Sequence, residues 1–189
     1  MSLSADSLYL HIFSSRTGGR IWCARTYDGR IYAVPCYKGQ LTLDHVQIEV
    51  SNTSDTLLNA SSCGFYAGKT ATLHMSDCSV RSSARIYAYG VNTYEATIQR
   101  CEMEVKADST NAYGVYIYKD TTSVETKEAY VEQTVLRVSA TQEAFGLLTQ
   151  GTVIMRNDSH ALTTLRKVVL RDRLCVSCVS MCPSLTDNH

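Results

Sequence analysis

The sequence predicts an all-β fold in which parallel strands stack in register as the coils of a solenoid. Three observations predict it. An aromatic-small dipeptide recurs at Tyr32-Ala33, Tyr66-Ala67, Tyr89-Gly90, Tyr113-Gly114 and Phe145-Gly146, with spacings of 34, 23, 24 and 32 residues. Self-similarity at a period of about 20–50 residues marks a repeat architecture. Behind each dipeptide comes a short segment in which apolar and polar residues alternate, the period-2 pattern of a strand with one buried face. Helical spacing is not sustained anywhere in residues 30–160. Thr, Val, Tyr and Ile abound there, as suits a pleated and half-buried surface.

The segments align one by one. Leu43 to Val50, Met75 to Ser82, Ile98 to Val105 and Val131 to Val138 share one pattern. Met155 to Leu162 fits poorly, because Asp158 and His160 fall where apolar residues belong. In a parallel stack, equivalent positions lie about 4.8 Å apart. Three columns follow. Ile48, Val80, Met103 and Leu136 form an apolar inward column. Val46, Cys78, Cys101 and Thr134 form a small or apolar one. Glu49, Arg81, Glu104 and Arg137 point outward and alternate in sign. Opposite charges on facing strand positions are worth roughly 0.2–1 kcal/mol, so the sign order supports in-register parallel stacking.

Coils of about 23 and about 32 residues alternate. The longer ones carry extra loops at Ser51 to Ser62 and Asp120 to Glu128, where a binding surface is expected. Turn residues cluster between the strands, as at Ser51-Asn52-Thr53-Ser54-Asp55 and Asp108-Ser109-Thr110-Asn111. Both prolines lie outside the aligned segments, as central strands require.

Open ends of such a stack need caps. Residues 1–29 are expected to supply one: Leu8 to Phe13 reads as a strand, Thr17 to Arg20 as a turn and Ile21 to Cys23 as a second strand. Residues 30–164 form the coils. Residues 165–189 form a C-terminal cap or a disordered tail that contains cysteines.

Coil length, the strand-turn-strand rhythm and the stacked columns of residues 30–162 resemble the right-handed parallel β-helix, the pectin-lyase-like superfamily. The resemblance implies a solenoid of about five coils with capped ends. That superfamily includes polysaccharide lyases, glycoside hydrolases, phage tailspikes and adhesins, so membership alone does not select an activity.

Composition narrows the field. The 189 residues suit one domain, and 18 basic residues balance 18 acidic ones. A nucleic-acid partner would want a basic face, so none is expected. The longest apolar run, Leu8 to Phe13, is too short to span a bilayer. Met1 to Asp6 lacks the charged and apolar regions of a signal peptide. The architecture nonetheless points to an extracellular or cell-surface setting.

Twelve tyrosines against three phenylalanines are unusual. Tyr combines apolar area with a polar tip. Tyr87, Tyr94, Tyr116 and Tyr118 are therefore candidate ligand-binding residues, an aromatic platform for sugar rings. Aromatic packing along the coils is the other reading. Cys78 and Cys101 share a column and lie within disulfide range, although parallel side chains strain that geometry. A ladder of small buried thiols is the alternative. Cys175, Cys178 and Cys182 run as C-x2-C-x3-C and are candidate metal ligands with a fourth donor such as His189. The short single run departs from the usual paired zinc signature, and no cofactor is expected. Asn52, Asn59 and Asn157 each begin a glycosylation sequon.

Hydrolysis of a glycoside needs two carboxylates about 5–9.5 Å apart. The resemblance implies, for a lyase, calcium-binding Asp residues beside a basic Arg or Lys. Asp77, Arg100, Glu102 and Glu104 are the candidate catalytic residues on those grounds. A solvated, charge-paired surface explains the same residues. The expected function is a non-catalytic β-helix surface module, structural, adhesive or glycan-binding, whose partner is a polysaccharide or cell-surface glycan. A polysaccharide lyase or glycosidase is the alternative, and a phage-tail or fibre-type assembly protein that homo-oligomerises is the second alternative.

Overall fold

A computed structural model describes residues 9–14, 19–54, 59–118, 128–150, 152–156 and 159–162. Among them there are fifteen strands and no helix. None of the described residues forms a helix long and apolar enough to cross a membrane. The chain is all-β, and every strand pair is parallel.

In chain order the strands are β1 (Tyr9–Phe13), β2 (Gly19–Arg25), β3 (Arg30–Asp44), β4 (Val46–Asn52), β5 (Ser61–Ser76), β6 (Ser79–Ala84), β7 (Tyr87–Thr93) and β8 (Ala96–Gln99). They continue as β9 (Glu102–Ala107), β10 (Asn111–Ile117), β11 (Glu128–Glu132), β12 (Val135–Ala140), β13 (Glu143–Thr149), β14 (Thr152–Arg156) and β15 (Ser159–Leu162). One sheet runs β15-β12-β9-β6-β4-β2. The other runs β13-β10-β7-β5-β8-β11-β14, with β3 beside β5 and β1 beside β3. Its path begins and ends on consecutive strands, so this sheet curls back until it is nearly closed. That arrangement is consistent with a parallel β-helix or a barrel.

The long strand β5 explains the curl. Its first half pairs with β7 and its second half with β8. Three extra residues are accommodated between the halves: Tyr66 faces Asn92, whereas Leu73 faces Ala96.

The aligned columns are register columns. Ile48 faces Val80, Val80 faces Met103, and Met103 faces Leu136. All four are at most 1 % exposed. Leu43, Met75, Ile98 and Val131 stack in the same way. Glu49, Arg81, Glu104 and Arg137 stand in one outward column. The fifth segment keeps the register despite its polar residues, since Val131 faces Met155 and Leu136 faces His160.

One expectation needs correction. Tyr66-Ala67 is not an equivalent of the other dipeptides. Tyr32 faces Cys63, Cys63 faces Tyr89, Tyr89 faces Tyr113 and Tyr113 faces Phe145. Tyr66-Ala67 lies three residues further along, and Cys63-Gly64 holds the true position. Spacing alone preferred the aromatic, because a Cys in an aromatic column carries no visible signal. Pro35 is outside the aligned segments, as expected, and sits in the first half of β3 opposite Tyr66. It is tolerated because the first half of β3 pairs on one side only, with β5, and an edge has no second ladder to feed.

Of the segment expected to cap the stack, 9–13 and 19–25 form β1 and β2, which extend the two sheets by pairing with β3 and β4. The loop at Asp120 to Lys127 and all of residues 165–189 lie outside the described residues. Cys175, Cys178, Cys182 and His189 are among these, as is Asn157.

Asn52 is 2 % exposed and holds the first long connection in place. Its amide nitrogen donates to the carbonyls of Tyr27, Gly29 and Ser61, and its oxygen accepts from the amides of Tyr27 and Ser54. A side chain so committed is closed to glycosylation in the folded chain.

Candidate functional site

The most distinctive backbone feature is a column of left-handed corners. His45, Asp77, Arg100 and Gln133 have φ between 50° and 55°. Each separates a strand of the nearly closed sheet from a strand of the six-stranded one. A single left-handed residue turns the chain sharply, at a steric cost that non-glycine residues bear only where the surroundings enforce it. Here the ladder enforces it. The amides of His45, Asp77 and Arg100 donate to the carbonyls of Ser76, Gln99 and Glu132 at 3.1, 3.1 and 2.9 Å.

The residue after the corner has a role that spacing did not reveal. Cys78 Sγ donates to the Ser76 carbonyl at 3.1 Å, Cys101 Sγ to Gln99 at 3.2 Å, and Thr134 Oγ1 to Glu132 at 3.0 Å. Each side chain reaches back two residues and ties off the turn. Val46 fills the same position after the His45 corner without a donor, so the bond is made in three of the four turns, those with Cys or Thr.

These corners line a shallow, open groove of about 410 Å³. His45, Asp77, Arg100 and Gln133 form its rim, with Cys78 and Cys101 at its floor. The Arg100 guanidinium grips Asp77 with two hydrogen bonds, of 2.8 and 2.6 Å. Those bonds, followed by the charge of Arg100, hold the Asp77 carboxyl below its ordinary range against the opposing effect of burial. His45 Nδ1 lies 2.8 Å from Asp44 Oδ1, and Ser76 Oγ donates to the same oxygen at 2.8 Å. Asp44, His45 and Asp77 each bring one donor atom within 4.8 Å of the others. Asp77 already has its charge answered by Arg100, so nothing at this corner calls for a cation.

Glu102 and Glu104 are both exposed on β9, as expected from their alternation with Met103. The structure does not bring them to a common target. Glu102 pairs with Arg137, and Glu104 lies 3.2 Å from Arg81. Arg20 pairs with Glu49 on the same face. The alternating column thus works as a surface ion-pair ladder, with diagonal as well as direct partners.

The tyrosines gather on the outer side of β3, β5, β7 and β10, with Phe145 of β13 at the end of the row. Tyr89, Tyr113 and Phe145 stack with centroids 4.9 and 5.3 Å apart and planes within 12°. The Arg30 guanidinium lies 5.1 Å from the Tyr89 ring centre, beside the gap that Cys63 leaves in the column. Tyr94 stacks on Tyr118 at 5.2 Å, and Tyr116 sets its edge against Tyr118 at 4.4 Å. Three of the four predicted platform residues, Tyr94, Tyr116 and Tyr118, are therefore together and packed on one another. Tyr87 stands apart, 37 % exposed, in a column with Ser61, Asn111 and Glu143. Burial raises the phenols of Tyr66, Tyr89, Tyr113 and Tyr116 above their ordinary range, so all stay neutral.

Sequence reasoning missed Asn92. It is fully buried on the outward side of β7 beneath this cluster, with Nδ2 3.4 Å from the Tyr118 hydroxyl and Oδ1 unpaired. A tyrosine-covered Asn has no signature in spacing. Cys63 is a second polar group that spacing did not single out. It is wholly buried, and desolvation pushes its thiol up to about 12.

No family model, curated protein or solved structure matches this chain.

Proposed function

We propose that the chain is a right-handed parallel β-helix of about five coils, and that it serves as a non-catalytic surface module with a structural or glycan-binding role outside the cell. The observation that carries this reading is the fate of the outward-facing groups. Charged residues are spent on neighbours in the next coil, as at Asp77–Arg100, Glu102–Arg137 and Glu104–Arg81. A general acid must hold a transferable proton near working pH. Asp77, pressed below its ordinary range, does not. The extended faces of a solenoid suit long ligands. The exposed Tyr87, with the partly exposed edges of Tyr94, Tyr116 and Tyr118, offers apolar surface with hydroxyl tips for sugar rings.

The second reading is a polysaccharide lyase or glycosidase. It is favoured by one observation, the meeting of Asp44, His45, Asp77 and Arg100 over an open groove. A panel of neutral and acidic polysaccharides, incubated with and without calcium, separates the two. The module reading expects no new reducing ends and no absorbance from unsaturated uronates. Product from any substrate would replace it with the enzyme reading. Retention in glycan affinity gels, weakened by Tyr87→Ala, would define the ligand face.

A further inference from the structure

We propose that Cys78 and Cys101 form a two-thiol modification site, which a small hydroperoxide converts to a disulfide that clips adjacent coils together.

The placement argues for it. Ser76 faces Gln99 and Ser79 faces Glu102, so Cys78 stands directly opposite Cys101. The Glu102 amide donates to the Cys78 carbonyl at 2.9 Å, which fixes the two backbones at ladder distance. That distance, about 4.8 Å, falls inside the roughly 4.4–6.8 Å between Cα atoms that a disulfide requires. Both cysteines sit after a left-handed corner rather than in mid-strand, where the side chains are not held parallel by the pleat. Each is 3 % exposed, and both reach the floor of the open groove. So small an exposed area on each thiol favours a peroxide over a bulky disulfide reagent. Cys36 and Cys63 are buried as well, but their register partners are Ala67 and the tyrosines Tyr32 and Tyr89. They are built-in controls.

The chemistry balances. One thiolate attacks a peroxide oxygen, the O–O bond breaks, and water leaves after protonation, giving a sulfenic acid. The second thiol attacks that sulfur, the S–O bond breaks, and a second water leaves. Two protein thiols are oxidised by two electrons, and hydrogen peroxide is reduced to two waters.

The experiment treats the folded, reduced chain with hydrogen peroxide, blocks free thiols with an alkylating agent after unfolding, and maps the peptides. The expected result is a linked Cys78–Cys101 peptide pair, lighter by about 2 Da than the two thiols and reversed by dithiothreitol, with Cys36 and Cys63 alkylated as free thiols. Cys101→Thr, which copies Thr134 of the same column and keeps the turn's donor, should abolish the link and leave a Cys78 sulfenic acid that dimedone traps. Free Cys78 and Cys101 after treatment of the folded wild-type chain would overturn the proposal. So would a bond from either residue to any other cysteine.

Discussion

Met103 is fully buried between Val80 and Leu136, in the middle of an apolar column. Met103→Asp places an unpaired charge there, and burying such a group costs more than a domain's whole stability margin. The variant should show no cooperative thermal transition. Met103→Ala gives the graded version, a loss of about 2–5 kcal/mol by denaturant titration. A soluble Met103→Asp with an unchanged melting temperature would contradict the core assignment. Asn52 acts through hydrogen bonds instead. Asn52→Ala strands the carbonyls of Tyr27, Gly29 and Ser61, and should lower stability by about 1–3 kcal/mol. Asp77 makes stability depend on pH. Its folded-state pKa is depressed, chiefly by hydrogen bonds from Arg100. Its contribution is therefore fully present above the unfolded carboxylate value, about pH 4, and is lost as pH falls through the lower folded value. Melting curves from pH 6 downward should show a smaller acid-side loss in Asp77→Asn than in wild type. The difference should shrink in concentrated salt, because the pair is partly exposed.

At the scale of the element, the strands of the nearly closed sheet depend on glycine where neighbouring backbones approach most closely. A Cβ on Gly90 would lie 2.5 Å from the Gly114 carbonyl oxygen, and one on Gly114 would lie 2.5 Å from that of Gly146. Both contacts are with backbone, which cannot swing aside. Gly114→Ala should cost about 1–3 kcal/mol through overpacking, measured by the chemical denaturation midpoint. The repeated aromatic-small dipeptide thus has two separate causes. The small residue permits close stacking of backbones, and the aromatic packs along the outer face. The corner is the other recurrent element. Its left-handed residue varies among His, Asp, Arg and Gln, and Val46, Cys78, Cys101 and Thr134 follow it. This explains why the turn did not announce itself through Gly or Asn.

Among the described residues, each strand pairs in parallel with its neighbours in the sheet, so stability is built from successive strand interfaces. The edges β1 and β2 carry Phe13 and Trp22, 66 % and 62 % exposed. An assembly role of the fibre type expects an oligomer well above the 20.9 kDa of one chain. Sedimentation at several concentrations measures this directly, and a concentration-independent single-chain mass would remove that role. The functional reading is tested at the same scale, by the polysaccharide panel.

The sequence by itself determined the strand class, the parallel register and the inward and outward columns from Leu43 to Val138. These properties are one-dimensional. Alternation sets the buried face, and equal spacing sets which residues stack. Spacing could also place Asp77 beside Arg100, because the two occupy one column. It could not detect the three-residue slip at Tyr66, where the extra length is absorbed between the halves of β5. Only the tertiary structure decided the rest. It set the left-handed corners, the convergence of Asp44 and His45 with Asp77, and the burial of Asn92 under tyrosine. These depend on the direction in which each turn aims its side chains in three dimensions, and a repeat period carries no record of that direction.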